Sequence, residues 1–220
     1  MTFSEHRFRK TFTRKRLEEH RLEEILDIAA DVFFSDGFDS ASTNTIARRA
    51  NTSKATLYSR FPTKEDLFLA VIEHRMERNV SVVASALDSE APPVIALHEF
   101  GSNLIRLALT AEQVALVRLI SKEAERFPRL AERFFEIGPG NGQKLLTNYM
   151  RQGIERGYLR QGDPQRMAEH FMSLVTGGEV RWFILGLRRK PGSQRLEDHL
   201  QAALQAFLLA YGNEVVKLPA

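Results

Sequence analysis

Residues that can donate or accept hydrogen bonds, or carry positive charge, cluster within the stretch "NTIARRANTSKATLYSRFPTKEDL", residues 44–67. Its apolar residues follow two short helical patterns. Lys54, Tyr58 and Lys64 are not among the apolar positions of either pattern. Short or planar polar side chains near the start of a helix are the groups that read base edges in a major groove, and cations suit the flanking phosphates. The chemistry that this stretch offers is therefore non-covalent recognition of double-stranded nucleic acid.

Two short helices are predicted to position these side chains. Ser42 is placed to cap the first helix, over residues 43–50, and Ser53 to cap the second, over residues 54–61. Asn51 lies in the link between them, and asparagine tolerates the positive φ that glycine usually supplies in such a turn. The apolar residues that the two helices are expected to bury are Ile46, Ala47, Ala50, Leu57 and Phe61. The pattern is that of a helix-turn-helix, which needs neighbouring helices to complete its core.

Helical periodicity continues along the rest of the chain, and no segment shows a convincing strand pattern. A first helix is predicted to stop at Gly37 in a conformation with positive φ, and a long fourth helix runs roughly from Lys64 to Leu87. Pro93 is expected in the first turn of another helix. Asp163 is expected to cap a later helix that continues through Gly177 and Gly178, where the two glycines would permit close helix packing or a kink. The predicted fold class is all-α.

The N-terminal part resembles the TetR family of one-component transcriptional regulators over residues 22–72. The motifs that carry this resemblance are Gly37-Phe38, Ile46-Ala47, Ala50, Ser53-Lys54, Thr56-Leu57-Tyr58, Phe61 and Lys64-Glu65 followed by Leu67. Two positions depart from the family pattern: Asn51-Thr52 stands where Gly-Val is usual, and Thr43 replaces an apolar residue. These departures affect the angle of the turn more than its function.

The resemblance implies an N-terminal three-helix DNA-binding domain with a helix-turn-helix, joined by the long fourth helix to a C-terminal helical domain that binds an effector and forms a homodimer. The expected organisation is a basic flexible arm over residues 1–16, the DNA-binding domain over 17–66 and the C-terminal domain over 67–220. It also implies double-stranded operator DNA as a partner. The expected function is repression relieved by a small hydrophobic or aromatic effector.

The predicted DNA-contacting residues all lie in or beside the two short helices. Lys54 suits the acceptors of guanine, and Ala55 and the Thr56 methyl group suit a thymine methyl group. Tyr58 suits a base, sugar or phosphate, and Arg60 suits the flanking phosphates, as does Lys64. The full predicted set is Thr43, Asn44, Lys54, Ala55, Thr56, Tyr58, Ser59, Arg60 and Lys64.

The C-terminal region carries the apolar and aromatic residues from which an effector pocket could be built. The candidate lining residues are Phe100, Leu104, Leu107, Tyr149, Phe171, Met172, Val175 and Trp182, with His98, His170 and Glu179 as possible polar anchors. For most of them, an ordinary place in the hydrophobic core is the favoured alternative. The apolar face of the last helix, residues 195–212, and the segment "RWFILGL" are expected to form the dimer interface, unless they are buried within the monomer.

Composition removes several other classes of protein. The chain has 220 residues, 43% of them hydrophobic, and no cysteine, which excludes disulfides and thiolate metal sites and suits the cytoplasm. No apolar stretch approaches the length needed to cross a membrane. The six histidines show no helical metal-ligand spacing, and the sequence contains no phosphate-binding glycine loop or nucleophile elbow. No catalytic residue, metal or cofactor is predicted, and an enzyme is disfavoured.

The formal net charge of +3 is unevenly distributed. Residues 1–16 contain one acid, Glu5, and six cationic residues: Arg7, Arg9, Lys10, Arg14, Lys15 and Arg16. We expect this arm to follow DNA phosphates or to enter a minor groove, although a transit peptide or a merely solvated tail would share its composition. Two alternatives remain for the whole chain: a helical interaction module that binds no DNA, and a regulator that has no small-molecule ligand.

Overall fold

The computed structural model describes residues 3–87, 91–187 and 189–213, without the side chains of residues 3–15, 78–82, 84 and 179. These residues form eleven α-helices and one 3-10 helix, at Ser85–Leu87. The α-helices are α1 (Phe3–Ser40), α2 (Thr43–Arg49), α3 (Lys54–Arg60), α4 (Lys64–Ala84), α5 (Pro93–Ala108), α6 (Ala111–Glu123), α7 (Pro128–Ile137), α8 (Pro139–Glu155), α9 (Pro164–Thr176), α10 (Glu179–Ile184) and α11 (Ser193–Tyr211). Within the described ranges the extended structure is a lone bridge between Leu159 and Gly212. The predicted all-α class is confirmed.

The chain divides into two compact units, Met1–Arg75 and Met76–Ala220. Helix α4 contributes residues to both of them. This division lies within α4, whereas the boundary expected from the sequence lies between residues 66 and 67, close to the start of that helix.

Three phenylalanines form the centre of the N-terminal unit. The centroid of the Phe33 ring lies 4.7 Å from that of the Phe68 ring and 5.9 Å from that of the Phe38 ring. All three side chains are buried. Ile46 and Ala47 of α2 and Leu57 of α3 are buried as predicted. Ala50 and Phe61 were also expected to be buried, but both are half-buried because they lie at the C-terminal ends of these short helices.

Leu57 is the buried residue of α3, with 3% of its surface exposed. We expect Leu57→Ala to lower the free energy of unfolding by about 2–5 kcal/mol, because it deletes a buried side chain and leaves a cavity. Chemical denaturation followed by circular dichroism measures the change. Leu17, whose side chain is 66% exposed, provides the matched control, and Leu17→Ala should change the free energy by less than about 0.5 kcal/mol. Equal effects of the two substitutions would contradict this packing.

Gly37 has the positive φ predicted for it and places a kink within α1 (φ 78°, ψ 166°). This region of backbone conformation is essentially restricted to glycine. The predicted interruption of the helix at Gly37 is confirmed, and a separate helical turn follows from Phe38 to Ser40. The first helix thus changes direction just before Phe38 enters the aromatic core.

Helix α1 already begins at Phe3, within the segment that was expected to be a flexible arm. Residues 3–36 contain neither glycine nor proline and are rich in arginine, lysine, glutamate and leucine, which favour helices. A helical backbone therefore continues through the basic segment. The side chains of Arg7, Arg9, Lys10, Arg14 and Lys15 lie outside the described residues, and Arg16 is exposed.

The C-terminal unit is built mainly from α5, α8, α9 and α11. Phe207 of α11 packs edge-on against Phe171 of α9, with 5.2 Å between ring centroids. A Cβ atom on Gly101 of α5 would lie 2.5 Å from a methyl carbon of Leu200, so glycine permits α5 and α11 to approach closely. The apolar face of α11 is buried within its own unit and is not free for a partner.

Two connections in this unit differ from those predicted. The helix expected to run from Asp163 through Gly177 and Gly178 is broken into α9 and α10, because Gly178 takes a positive φ of 49°. The run "GPGNG" contains a break only at Gly138, and Pro139 already begins α8. Two predicted helix N-termini are confirmed. One helix begins at Pro93, and another begins at Pro164 with Asp163 as its N-cap.

Candidate nucleic-acid interface and ligand cavity

The turn between α2 and α3 depends on Asn51, whose φ is 48°. The positive φ predicted for this asparagine is confirmed. A guanidinium nitrogen of Arg21 donates a hydrogen bond to the carbonyl oxygen of Asn51 at 2.8 Å, which links α1 to the turn. This contact was not predicted, because Arg21 and Asn51 are distant in sequence and Arg21 belongs to no recognisable turn motif.

Substitutions at Asn51 test the backbone conformation of the turn. We expect Asn51→Ala to lower the free energy of unfolding by about 1 kcal/mol, since a left-handed conformation is costly for a residue with a Cβ and no local hydrogen-bonding group. Asn51→Gly should leave it unchanged or raise it slightly, because glycine adopts this conformation without that cost. Thermal or urea denaturation of the two variants provides the comparison. A less stable glycine variant would argue against the positive φ.

Side-chain caps begin both short helices at the predicted residues. The Ser42 hydroxyl accepts a hydrogen bond from the backbone N–H of Thr45 at 3.4 Å, and the Ser53 hydroxyl accepts one from Thr56 at 2.9 Å. The Thr56 hydroxyl lies 2.7 Å from that of Ser53, and the Ser59 hydroxyl donates to the Thr56 carbonyl oxygen at 2.8 Å. Short polar side chains therefore surround the first turn of α3 in a defined arrangement.

The exposed face of α3 and the start of α2 form one polar surface. The Tyr58 hydroxyl lies 3.2 Å from the Thr43 hydroxyl, so it joins α3 to α2. The Lys54 ammonium lies 5.6 Å from the centre of the Tyr58 ring. Lys54, Tyr58 and Asn44 are all exposed, while Thr43 is half-buried. A cation, a phenol and a hydroxyl are thus held together at the position where the sequence predicts DNA contacts.

The other predicted DNA-contacting residues occupy different environments. Ala55, Thr56, Ser59 and Arg60 are exposed on α3. Lys64 is half-buried, and its ammonium donates a hydrogen bond to the carbonyl oxygen of Asp39 at 2.9 Å. The same ammonium lies 5.1 Å from the centre of the Phe38 ring. Lys64 therefore attaches the start of α4 to the end of α1 in addition to any contact with DNA.

The C-terminal unit contains a cavity of about 330 Å³, a size typical of sites for small molecules. Helices α4 and α5 form one part of its wall with Met76, Val83, Phe100, Leu104, Leu107 and Ala108. Helices α6 to α8 and the α7–α8 connection supply Gln113, Val117, Phe134, Gly138, Pro139, Gly142 and Leu145. Helices α9 and α10 complete the wall with Met172, Thr176, Val180 and Ile184. The described lining residues are almost entirely apolar.

The structure separates the predicted effector residues into two groups. Phe100, Leu104, Leu107 and Met172 line the cavity. The predicted residues outside the described lining are Tyr149, Phe171, Val175, Trp182, His98 and His170. The side chain of Glu179 lies outside the described residues. Helical periodicity indicates which residues are buried, but it does not indicate which of them border an empty space.

Several of the predicted residues outside the lining have other environments. Phe171 and Val175 are fully buried in the core of the unit. The Tyr149 hydroxyl donates to the carbonyl oxygen of Ala91 at 3.4 Å, and burial raises the pKa of this phenol to about 12. The Nε2 atom of His98 lies 2.8 Å from the Oε1 atom of Glu197, and the Nδ1 atom of His170 lies beside the Tyr211 hydroxyl. Hydrogen bonds from Gln201 and His98 lower the pKa of the Glu197 carboxyl.

Large apolar side chains are exposed on α9, on α10 with the loop after it, and on α11. They are Leu174, Trp182, Leu185, Leu187 and Leu209, with exposed fractions between 37% and 71%. Because the predicted interface face of α11 is buried within the chain, these residues are the apolar surface that remains available on this part of the unit. Trp182, Leu185 and Leu187 belong to the segment "RWFILGL" that was expected to contribute to the interface, whereas Leu209 lies on α11 outside its buried face.

Within the described residues, no group of three or more histidine, cysteine, aspartate or glutamate side chains is arranged to hold a metal ion. None of the described helices combines the length and apolar character needed to cross a bilayer.

Comparison with known proteins gives consistent matches in both units. Residues 25–71 match the family described as bacterial regulatory proteins of the tetR family, and residues 95–213 match the C-terminal domain of AefR-like transcriptional repressors. The chain is 27% identical over 162 residues to the HTH-type transcriptional repressor KstR2 of Mycobacterium tuberculosis, covering 73% of this chain and 80% of the repressor.

Solved structures resemble the chain over most of its length. A regulator assigned to the TetR family from Mesorhizobium loti MAFF303099 has a TM-score of 0.83 and 27% identity, covering 89% of this chain and 98% of that chain. The flavonoid-responsive regulator FrrA has a TM-score of 0.73 and 30% identity, covering 89% of this chain and 99% of its own. Together with the match over residues 95–213, these likenesses establish that the chain belongs to the TetR family of transcriptional regulators.

Proposed function

We propose that the chain is a repressor that binds a near-palindromic operator as a homodimer and releases it when a small hydrophobic or aromatic molecule occupies the C-terminal cavity. The observation that carries this proposal is the combination of a capped helix with an exposed polar face, α3, and an apolar cavity of about 330 Å³ in one chain. The cytoplasm, where chromosomal DNA is accessible, is the compartment that this function requires.

The exposed face of α3 supports DNA recognition. Lys54 and Tyr58 are held side by side, and Thr43 fixes the phenol from α2. A recognition helix lies in the major groove with its N-terminal residues at the base edges, which is where Lys54, Ala55 and Thr56 are found. Arg60, at the other end of α3, is suited to the flanking phosphates. Asn44, which is exposed near the start of α2, adds a further polar side chain.

The relatives support repression and a response to ligands. The C-terminal match is to AefR-like repressors, and KstR2 is itself named a repressor. The name of FrrA states that it responds to flavonoids, which are aromatic molecules. An aromatic or hydrophobic effector suits the cavity of this chain because its described walls are almost entirely aliphatic and aromatic.

A near-palindromic operator has two half-sites, and each chain supplies one helix-turn-helix, so the proposed function requires a homodimer. The exposed residues Leu174, Trp182, Leu185, Leu187 and Leu209 form apolar surface that a second copy could cover. In a dimer with twofold symmetry, the two α3 helices would meet half-sites about 34 Å apart, or a multiple of that distance. Sedimentation at micromolar concentration should then give the mass of two chains. A monomer, or an operator whose affinity survives scrambling of one half-site, would contradict the dimer.

The basic segment is proposed to contact DNA phosphates outside the major groove. Deleting residues 1–16 should weaken binding to all DNA sequences and flatten the slope of log affinity against log salt by about 0.9 for each phosphate that the shortened chain no longer neutralises. Fluorescence anisotropy at several salt concentrations provides this slope. If the slope is unchanged after the deletion, the segment does not contact DNA.

A footprint on the DNA flanking the protein's own gene tests the DNA-binding part of the proposal. The purified chain should protect two symmetric half-sites, and competition with unrelated DNA at the same salt concentration should leave that protection in place. Absence of sequence-specific protection would favour a helical interaction module instead. A second titration with small molecules then asks which of them remove the protection.

A further inference from the structure

We infer that the effector is an uncharged molecule, mainly aromatic or aliphatic, with a single hydrogen-bonding group held by the side-chain amide of Gln113. This inference rests on the proposed function, because it takes the cavity of the C-terminal unit as the effector site. It adds the chemical class of the ligand and the residue that orients it.

The first argument is the charge of the cavity wall. Every described lining residue is uncharged, and the helices contribute leucine, valine, isoleucine, methionine and phenylalanine side chains. A carboxylate, sulfonate or phosphate that enters such a wall loses its hydration without gaining a cation, which is strongly unfavourable. The described part of the wall therefore disfavours ionised ligands, including those whose hydrocarbon part would fit.

The second argument is the small number of polar side chains in the described wall, Gln113 and Thr176. The Thr176 hydroxyl donates its proton to the carbonyl oxygen of Met172 at 2.7 Å. It can therefore accept a further hydrogen bond but has no proton left to donate. A ligand group that needs a donor must find it at another residue.

Gln113 supplies that donor and an acceptor as well. Its backbone N–H is already bonded to the Thr110 hydroxyl at 3.2 Å, which fixes the start of α6. The side chain is half-buried at the cavity, and among the described residues its amide has no hydrogen-bond partner. A side-chain amide can donate through nitrogen and accept through oxygen. It therefore suits a hydroxyl, carbonyl or secondary amine on an otherwise apolar ligand.

Three matched probes separate charge from hydrogen bonding. N-phenyl-1-naphthylamine is uncharged, fluoresces in apolar sites and carries one N–H group. 1-Anilinonaphthalene-8-sulfonate has the same skeleton with an added negative charge, and 1-benzylnaphthalene replaces the N–H group with CH₂. Fluorescence titration gives the dissociation constants of the two amines, and displacement of the neutral amine gives that of 1-benzylnaphthalene.

The neutral amine should bind one site per chain, and the sulfonate should bind that site at least about 10-fold more weakly. Gln113→Leu should reduce the preference for the amine over 1-benzylnaphthalene by about 3- to 10-fold, since it removes one hydrogen bond. Gln152, an exposed residue of α8, provides the matched control, and Gln152→Leu should leave the preference unchanged. Circular dichroism confirms that each variant is folded.

A cavity-filling substitution locates the probe. Gly142 lines the cavity, and a Cβ atom added there meets no other atom within 4 Å, so Gly142→Leu should displace the neutral amine. If the amine does not bind, or if Gly142→Leu leaves its affinity unchanged, the cavity is not the ligand site, and both this inference and the proposed induction fail. If the amine binds in the cavity but the sulfonate binds equally well, or Gln113→Leu leaves the preference intact, only this inference is overturned.

Discussion

Replacing both Lys54 and Tyr58 with alanine is expected to lower operator affinity by about 100-fold or more. Each side chain that contacts a base or phosphate contributes about 1–3 kcal/mol, and these two side chains lie together on the exposed face of α3. Fluorescence anisotropy with a labelled operator at fixed salt measures the change. Because both side chains are exposed, the free energy of unfolding should change little.

Two further variants sharpen this prediction. Tyr58→Phe keeps the ring beside Lys54 but removes the hydroxyl that lies 3.2 Å from the Thr43 hydroxyl, so it should cause an intermediate loss. Lys144→Ala removes a positive charge from an exposed side chain of α8, and it should leave affinity nearly unchanged. An equal loss for Lys144→Ala and for the double variant would mean that overall charge, rather than the surface of α3, determines binding.

Gly142→Leu is expected to make the proposed repressor unresponsive to the proposed effector while leaving operator binding intact. The substitution places a large side chain at the cavity wall, where a Cβ atom meets no neighbour within 4 Å. The effector concentration that releases half of the DNA should rise by at least about 10-fold, because the added side chain occupies the volume that the ligand needs. Gel-shift titration with and without effector measures both properties.

Gly142→Ala is the matched control for this substitution. Both variants gain helix propensity at a position within α8, which should raise the free energy of unfolding by about 0.5–1 kcal/mol. The alanine variant adds only a methyl group to the cavity and should remain close to the wild-type protein in its response. If both variants respond like the wild-type protein, the effector does not occupy this cavity.

Local interactions explain why several helix caps and the turn between α2 and α3 could be predicted from sequence. Ser42, Ser53 and Asp163 cap helices where expected, because a cap depends on a few neighbouring residues. The positive φ of Asn51 also depends on neighbouring residues, because it follows from the short link between two helices. Such features require no knowledge of distant parts of the chain.

Non-local packing explains what could not be predicted. The burial of the α11 face depends on how α11 packs against the other helices of its unit, which periodicity does not describe. Met76 and Phe134 line the cavity, although neither was among the candidates, while Phe171 was a candidate and is fully buried elsewhere. A buried residue and a lining residue give the same apolar signal in a sequence.

Helix α4 offers a physical route from the cavity to the DNA-binding unit. It is a continuous helix from Lys64 to Ala84; its residues up to Arg75 belong to the N-terminal unit, and Met76 and Val83 line the cavity. A ligand changes the DNA-binding equilibrium only through a difference in its affinity for two conformations, and couplings of about 1–3 kcal/mol are typical. We propose that the two conformations differ in the position of α4, and that the effector binds one of them more tightly.

Calorimetric titration of the effector into the protein, with and without saturating operator DNA, tests this coupling most directly. Linkage requires operator DNA to weaken effector binding by the same factor by which the effector weakens operator binding, about 5- to 150-fold for typical couplings. We predict equal factors in the two experiments, and loss of effector binding in Gly142→Leu. Equal effector affinities in the presence and absence of operator DNA would contradict the account.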